Sequence, residues 1–186
     1  MKINIISGSP RENSITKRAA LYLQNLLSKD HEVVFIDLNK FELPPMQTVY
    51  STDEKTPAQY QDLRKKMFEA DAFIFVTPEY NGSYSPAMKN LLDHFTKITY
   101  ARKAIGIVTA SDGLFGGMRA AIQMQQLVCA LFGIPCPQML IIPQVDKKFD
   151  TDGKLLDESF TRNIDNFLAE YLWLAETLYK NKVAAK

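Results

Sequence analysis

One repeated alternation restricts this chain more than any other feature. Five short apolar runs are separated by segments of helical periodicity. The runs are INIIS (Ile3 to Ser7), VVFID (Val33 to Asp37), AFIFV (Ala72 to Val76), AIGIV (Ala104 to Val108) and MLII (Met139 to Ile142). Most are continuous rather than alternating, the pattern of parallel strands covered on both faces. Helical segments begin near Ser14, Pro57, Pro86, Gly117 and Asp157. In the last, Phe160, Ile164, Phe167, Tyr171, Leu174, Ala175 and Leu178 form one apolar stripe at helical spacing. Alternating strands and helices predict an α/β, doubly wound parallel sheet with helices on both faces. Right-handed crossovers leave few topologies. Five strands fit the order 2-1-3-4-5, the flavodoxin-like arrangement, better than the six of a dinucleotide fold.

Length and composition narrow the function. The 186 residues suit one domain with a sizeable core, and 46% hydrophobic residues suit a soluble globular protein. With 22 basic and 21 acidic side chains, nothing points to nucleic acid. No apolar window is long enough for a membrane span, and the N-terminal apolar run is too short for a signal peptide. Cys129 and Cys136 both stand in apolar sequence, so no disulfide framework is expected. These features together predict a cytoplasmic protein. His31 and His94 lack partners at metal-ligand spacing. FDTDGKLLDES reads as a turn at Asp152-Gly153 followed by a capped helix, since its ligand positions do not match a calcium loop. Met118 and Met124 read as core or interface residues.

Ligands of doubly wound sheets bind outside the carboxyl ends of the strands. Three such ends carry unusual chemistry. SGSPRENSITKRAA (Ser7 to Ala20) places Ser9, Arg11, Ser14 and Thr16 around the start of a helix. Its free N–H groups, hydroxyls and guanidinium suit a phosphate monoester. Ser14 also reads simply as an N-cap and Arg11 as a solvated residue. The loop lacks G-x-G-x-x-G and the P-loop pattern, so neither a dinucleotide turn nor an NTPase is indicated.

At the second end, FIFVTPEYNGSYSPAMKNLLDHF (Phe73 to Phe95) sets Pro78 as a strand stop and Asn81-Gly82 as a turn. Ser85 reads as the N-cap of a helix with Pro86 at its first position. Backbone groups exposed by such a turn could pair with a flat heteroaromatic ring. The third end, TASDGLFGGMRAA (Thr109 to Ala121), leads through Gly116-Gly117 into another helix. Its positive end is expected to face the crevice. The irregular stretch from Asn39 to Thr56 reads equally as a lid, a subunit contact or a surface excursion.

Taken together, GSPRENS (Gly8 to Ser14), PEYNGSYSPAMKN (Pro78 to Asn90) and SDGLFGG (Ser111 to Gly117) resemble the NADPH-dependent FMN reductase family of flavodoxin-like enzymes. The resemblance spans most of the chain. It implies that Ser9, Arg11, Ser14 and Thr16 hold the FMN phosphate. It implies further that Pro78, Glu79, Tyr80, Asn81, Gly82 and Ser83 line the isoalloxazine, with Ser111, Asp112 and Gly113 closing the other side. The implied activity is hydride transfer from NADPH or NADH through flavin N5 to a quinone, azo, flavin or metal-ion acceptor. No side chain is implied as nucleophile or general base, and the cofactor carries the chemistry. A homodimer or homotetramer is implied as well. Thr16 stands where the family often has asparagine, and His94-Phe95 where tryptophan is frequent. The alternative activities are an electron carrier without nicotinamide turnover, disfavoured by the near-neutral charge, and a regulatory protein that keeps the fold without the cofactor.

Overall fold

The computed structural model describes residues 1–184 of the chain. Its strands are β1 (Lys2–Ser7), β2 (Glu32–Asp37), β3 (Ala72–Tyr80), β4 (Ser83–Tyr84), β5 (Ala104–Ala110), β6 (Ile134–Pro135) and β7 (Leu140–Ile142). Its α-helices are α1 (Ile15–Leu27), α2 (Gln61–Glu69), α3 (Pro86–Asp93), α4 (Met118–Ala130), α5 (Val145–Lys148) and α6 (Thr161–Ala184). The sheet runs β2-β1-β3-β5, with β6 and β7 both pairing with β5 in parallel. This is the expected 2-1-3-4-5 order, with β4 as a short antiparallel return on β3 and the fifth strand in two pieces. Pro135 and Pro137 explain the break, since neither has an N–H to donate to a ladder.

Continuous apolar runs are needed because both faces of the sheet are covered. Ile5, Ile74, Val76 and Val108 point to one core, where Ala19 and Leu23 of α1 and Ile164, Phe167 and Tyr171 of α6 pack. Ile6, Phe73, Phe75, Ile105 and Ile107 point to the other, filled by Leu63, Met88, Leu91, Met124 and Val128. Period-two alternation persists, but both faces want apolar groups. Side chains buried this completely contribute about 1.5–3 kcal/mol each.

Several expectations shift in detail. α2 and α6 each begin a turn later than the first helical residue read from sequence, after the short turns Ala58–Tyr60 and Glu158–Phe160. Asp157 caps the second turn by accepting from the Ser159 N–H. Cys136 is buried, but Cys129 is exposed on α4, correcting the apolar setting read for it. The stretch after β2 is tied to the body of the protein. Tyr50 is buried against the rings of Tyr60 and His94. The Met46 N–H donates to Asn90 Oδ1 at 3.0 Å, and the Tyr60 hydroxyl donates to the Glu42 carbonyl at 2.6 Å. His94 is buried and donates from Nδ1 to the Asn90 carbonyl at 2.7 Å. No described helix is long and apolar enough to cross a membrane.

Candidate active site

Parallel strands in register bring their carboxyl ends to one edge of the sheet. Ser7 of β1 lies opposite Val76 of β3, and Pro78 of β3 lies opposite Ala110 of β5. The loops that follow must therefore meet. They enclose a cavity of about 160 Å³ lined by Ser9, Arg11, Asn13, Ser14, Ile15, Thr16, Pro78, Glu79, Tyr80, Ala110, Ser111 and Asp112.

The β1 loop is held closed by its neighbours. The Gly8 N–H donates to the Val76 carbonyl at 2.7 Å. The Ser85 hydroxyl donates to the Gly8 carbonyl while accepting from the Met88 N–H at 3.0 Å. Ser85 thus caps α3, as read from sequence, and also ties α3 to the β1 loop, a role with no local signal. Ser14 caps α1 by accepting from the Lys17 N–H at 3.3 Å, and no acidic residue occupies the first turn of α1. Ser9 accepts from the Arg11 N–H at 3.3 Å. Each hydroxyl accepts there and keeps its own proton to donate. Ser9 and Thr16 are buried, whereas Arg11 is exposed and lies over Tyr80, with 4.7 Å from guanidinium carbon to ring centroid. The Tyr80 hydroxyl is buried without a hydrogen-bond partner.

The middle loop corrects one reading. Pro78 does not stop its strand, because β3 continues to Tyr80. The Val76 carbonyl faces the β1 side, so residue 78 faces that side too. There β1 has already ended at Ser7, and the missing N–H removes no ladder bond. Asn81 and Gly82, at φ 51 and 82, form a two-residue turn that pairs Tyr80 with Ser83. This hairpin docks on α4. Ser83 donates to Gln123 Oε1 at 2.6 Å, and Gln123 Nε2 donates to the Gly82 carbonyl at 3.0 Å. Asn81, Gly82 and Ser83 consequently stand outside the cavity lining, as does Gly113. Asn13, Ile15 and Ala110 line it without having been singled out. Asn13 and Ile15 flank Ser14, and Ala110 is the last residue of its strand, so the loop positions themselves were the available signal.

The third loop holds a second correction. The amino end of α4 does not present free positive charge to the crevice, because Glu79 fills it. The carboxylate accepts from the N–H groups of Arg119 at 3.1 Å and Ala120 at 3.3 Å, and from Arg119 Nε at 2.8 Å. The approach needs Gly117, which has φ +85. A Cβ there would lie 3.0 Å from Thr109 Cβ and 3.5 Å from Glu79 Cβ. Beyond Glu79 the surface turns apolar: Leu114, Phe115, Met118 and Ile122 are exposed, whereas Met124 is buried.

Comparisons with known proteins point to one family by sequence and to one fold by structure. A family model described as NADPH-dependent FMN reductase matches residues 1–147. An FMN-dependent NADPH-azoreductase of Staphylococcus aureus is 32% identical over 157 residues, covering 82% of each chain. FerB from Paracoccus denitrificans, a flavoenzyme NAD(P)H:(acceptor) oxidoreductase, superposes with a TM-score of 0.76 at 21% identity, covering 95% of this chain and 97% of that one. An oxidoreductase from Corynebacterium diphtheriae gives 0.70 at 14% identity, covering 96% and 97%. At these identities the two structures bear on fold alone.

Proposed function

Because the chain belongs to the NADPH-dependent FMN reductase family, we propose that its crevice holds FMN between the β1 loop and the β5 loop and serves hydride transfer from NADPH to a small-molecule acceptor. The protein is an oxidoreductase that uses FMN and NADPH. The observation carrying the site assignment is the convergence of Arg11, Tyr80 and Asp112 on one cavity, from the carboxyl ends of three different strands and the loops that follow them.

The residues present fit the cofactor. A phosphate meets the open amino end of α1, where Ser9 and Ser14 have hydroxyl protons free to donate. Arg11 adds charge from the rim. The buried, unpartnered Tyr80 hydroxyl supplies a polar group that a bound molecule would satisfy. Pro78 and Ala110 present apolar surface beside it, while Ser111 and Asp112 supply polar contacts at the far side. Asn81, Gly82, Ser83 and Gly113 act at the rim, the first three as the hairpin that orients Tyr80. Bound flavin supplies hydride acceptance and donation; the chain's own part is to grip, orient and exclude water. Glu79 is committed to α4 through its three hydrogen bonds, which suits positioning rather than proton transfer.

The acceptor is read as a quinone, azo compound, free flavin or metal ion, in keeping with a crevice open to solvent. A cavity of about 160 Å³ is smaller than the roughly 300 Å³ minimum of a typical small-molecule site, so a second subunit is read as completing the cover. Exposed Ile98, Phe132 and Trp173 are consistent with such a homodimer or homotetramer. The 186 residues are read as one FMN-binding domain around one sheet, in the cytoplasm, where free thiols such as Cys129 and Cys136 persist. Two measurements test the reading. Protein reconstituted with FMN should show a bound-flavin spectrum, and anaerobic NADPH should bleach it stoichiometrically. A protein that takes up FMN but is never reduced by NADPH would be a carrier instead.

A further inference from the structure

From the geometry around Glu79, we infer that Arg119 takes the phosphate of the incoming nicotinamide coenzyme, an inference that rests on the hydride-transfer reading above. The argument begins with the ion pair. Arg119 Nη2 lies 2.5 Å from Glu79 Oε1, with the arginine side chain 75% exposed and that of Glu79 11%. The N–H groups of Arg119 and Ala120 hold Glu79 Oε2 at the end of α4, while Oε1 is held by the guanidinium through Nε and Nη2. Only Nε and Nη2 face Glu79, so the exposed Nη1 side of the guanidinium can take a second anion while the pair stays made.

Position and supply of charge point the same way. Arg11 and Arg119 stand on opposite sides of β3, one on the β1 loop and one on α4. Arg11 is stacked on Tyr80 over the FMN phosphate cradle. Lys17, the nearby lysine of α1, is taken by the buried Asp37 carboxylate at 2.7 Å. Lys89 of α3 is taken by Asp93. Arg119 presents the guanidinium edge left for a second anion, since its Nη1 side does not face Glu79. It lies across the hairpin tip, 3.9 Å from a Cβ built on Gly82, at the solvent side of the crevice. Beside it, Phe115 is 78% exposed and Met118 is 48% exposed. A planar base linked to a phosphate matches an exposed aromatic next to an exposed guanidinium. NADPH brings both groups.

The test uses FMN-loaded enzyme, NADPH and NADH, and a neutral quinone acceptor, so that Arg119 has no anionic acceptor to recognise. Arg119→Ala should raise the NADPH KM about 10- to 100-fold with kcat within about twofold. Arg119→Lys should recover part of the loss, and FMN content should match wild type in both variants. Equilibrium dialysis of NADP+ against the loaded proteins, without turnover, should show the same loss of affinity. Loss confined to NADPH assigns the 2′-phosphate, and equal loss with NADH assigns the diphosphate; either supports the inference. Unchanged KM with both coenzymes overturns it, and so does a fall in FMN content that parallels the KM change. A wild-type enzyme that oxidises neither coenzyme overturns the hydride-transfer reading itself, which separates the two failures.

Discussion

Two helices begin at the same edge of the sheet, and their amino ends are managed in opposite ways. α1 is capped only by the Ser14 hydroxyl, and its first turn carries no acid. α4 has no side-chain cap of its own at Gly117 and receives a carboxylate from β3 instead. Both ends carry the same partial positive charge from unpaired N–H groups. One is open to an anion from solution, and the other is already neutralised. A helix amino end is therefore an anion site only when no side chain of the protein reaches it first.

Giving α1 what α4 already has should produce the largest effect. Aspartate caps a helix as well as serine does, so Ser14→Asp should hold stability within about 0.5 kcal/mol. A carboxylate about 4 Å from a phosphate is repelled by roughly 4 kcal/mol at an effective dielectric of 20, so FMN affinity should fall more than about 100-fold. Fluorescence titration with FMN, run beside urea unfolding, reads both quantities. Retained affinity would mean that the phosphate lies elsewhere.

Blocking the closed end comes next. Gly117→Val puts a branched side chain at φ +85 with its Cβ 3.0 Å from Thr109 Cβ. It should lower stability by about 2–3 kcal/mol, seen as a shifted urea midpoint at constant slope. Removing only the charge is milder. Glu79→Gln keeps the shape and should destabilise by about 1–2 kcal/mol, while FMN affinity falls far less than in Ser14→Asp. If the two substitutions weakened FMN equally, the contrast between the ends would be lost.

The smallest effect on FMN is expected of a control at the opposite edge of the sheet. Burial pulls the Lys103 ammonium down from 10.5 to about 8. Below pH 8 the folded chain holds a charge that burial disfavours. Between about 8 and 10.5 the folded chain has lost a proton that the unfolded chain still binds, so stability rises with pH across that window. Lys103→Met should remove a rise of about 2–3 kcal/mol and leave FMN affinity at pH 7 unchanged. Calorimetric Tm values at pH 7.5 and pH 10 check it.

Much of the crevice was legible before any coordinates. Three strands ended in polar, turn-rich sequence, and parallel topology forces such ends together, so Arg11 and Tyr80 could be paired across the 68 positions between them. The cap at Ser14 was equally readable, because its partner is three residues away. Glu79 was placed in the site but not on α4. Its partners lie 40 and 41 residues along the chain, and no spacing rule reports a carboxylate crossing from one strand end to a neighbouring helix. The same holds for the Ser85 bond to Gly8, 77 residues apart. Pro78 was read as a stop because proline breaks ladders, yet which side of a strand still has a neighbour is not written locally.

By itself, the sequence determined the layered α/β architecture, the strand order and the edge at which the candidate site lies. Hydrophobic period and turn chemistry are local properties, and handed crossovers convert them into topology. Only the tertiary structure decided which of two similar helix ends stays open, because that turns on where a single carboxylate lands after folding. Electrostatic fit depends on a few ångströms between residues distant in sequence, and chain periodicity carries no measure of that distance.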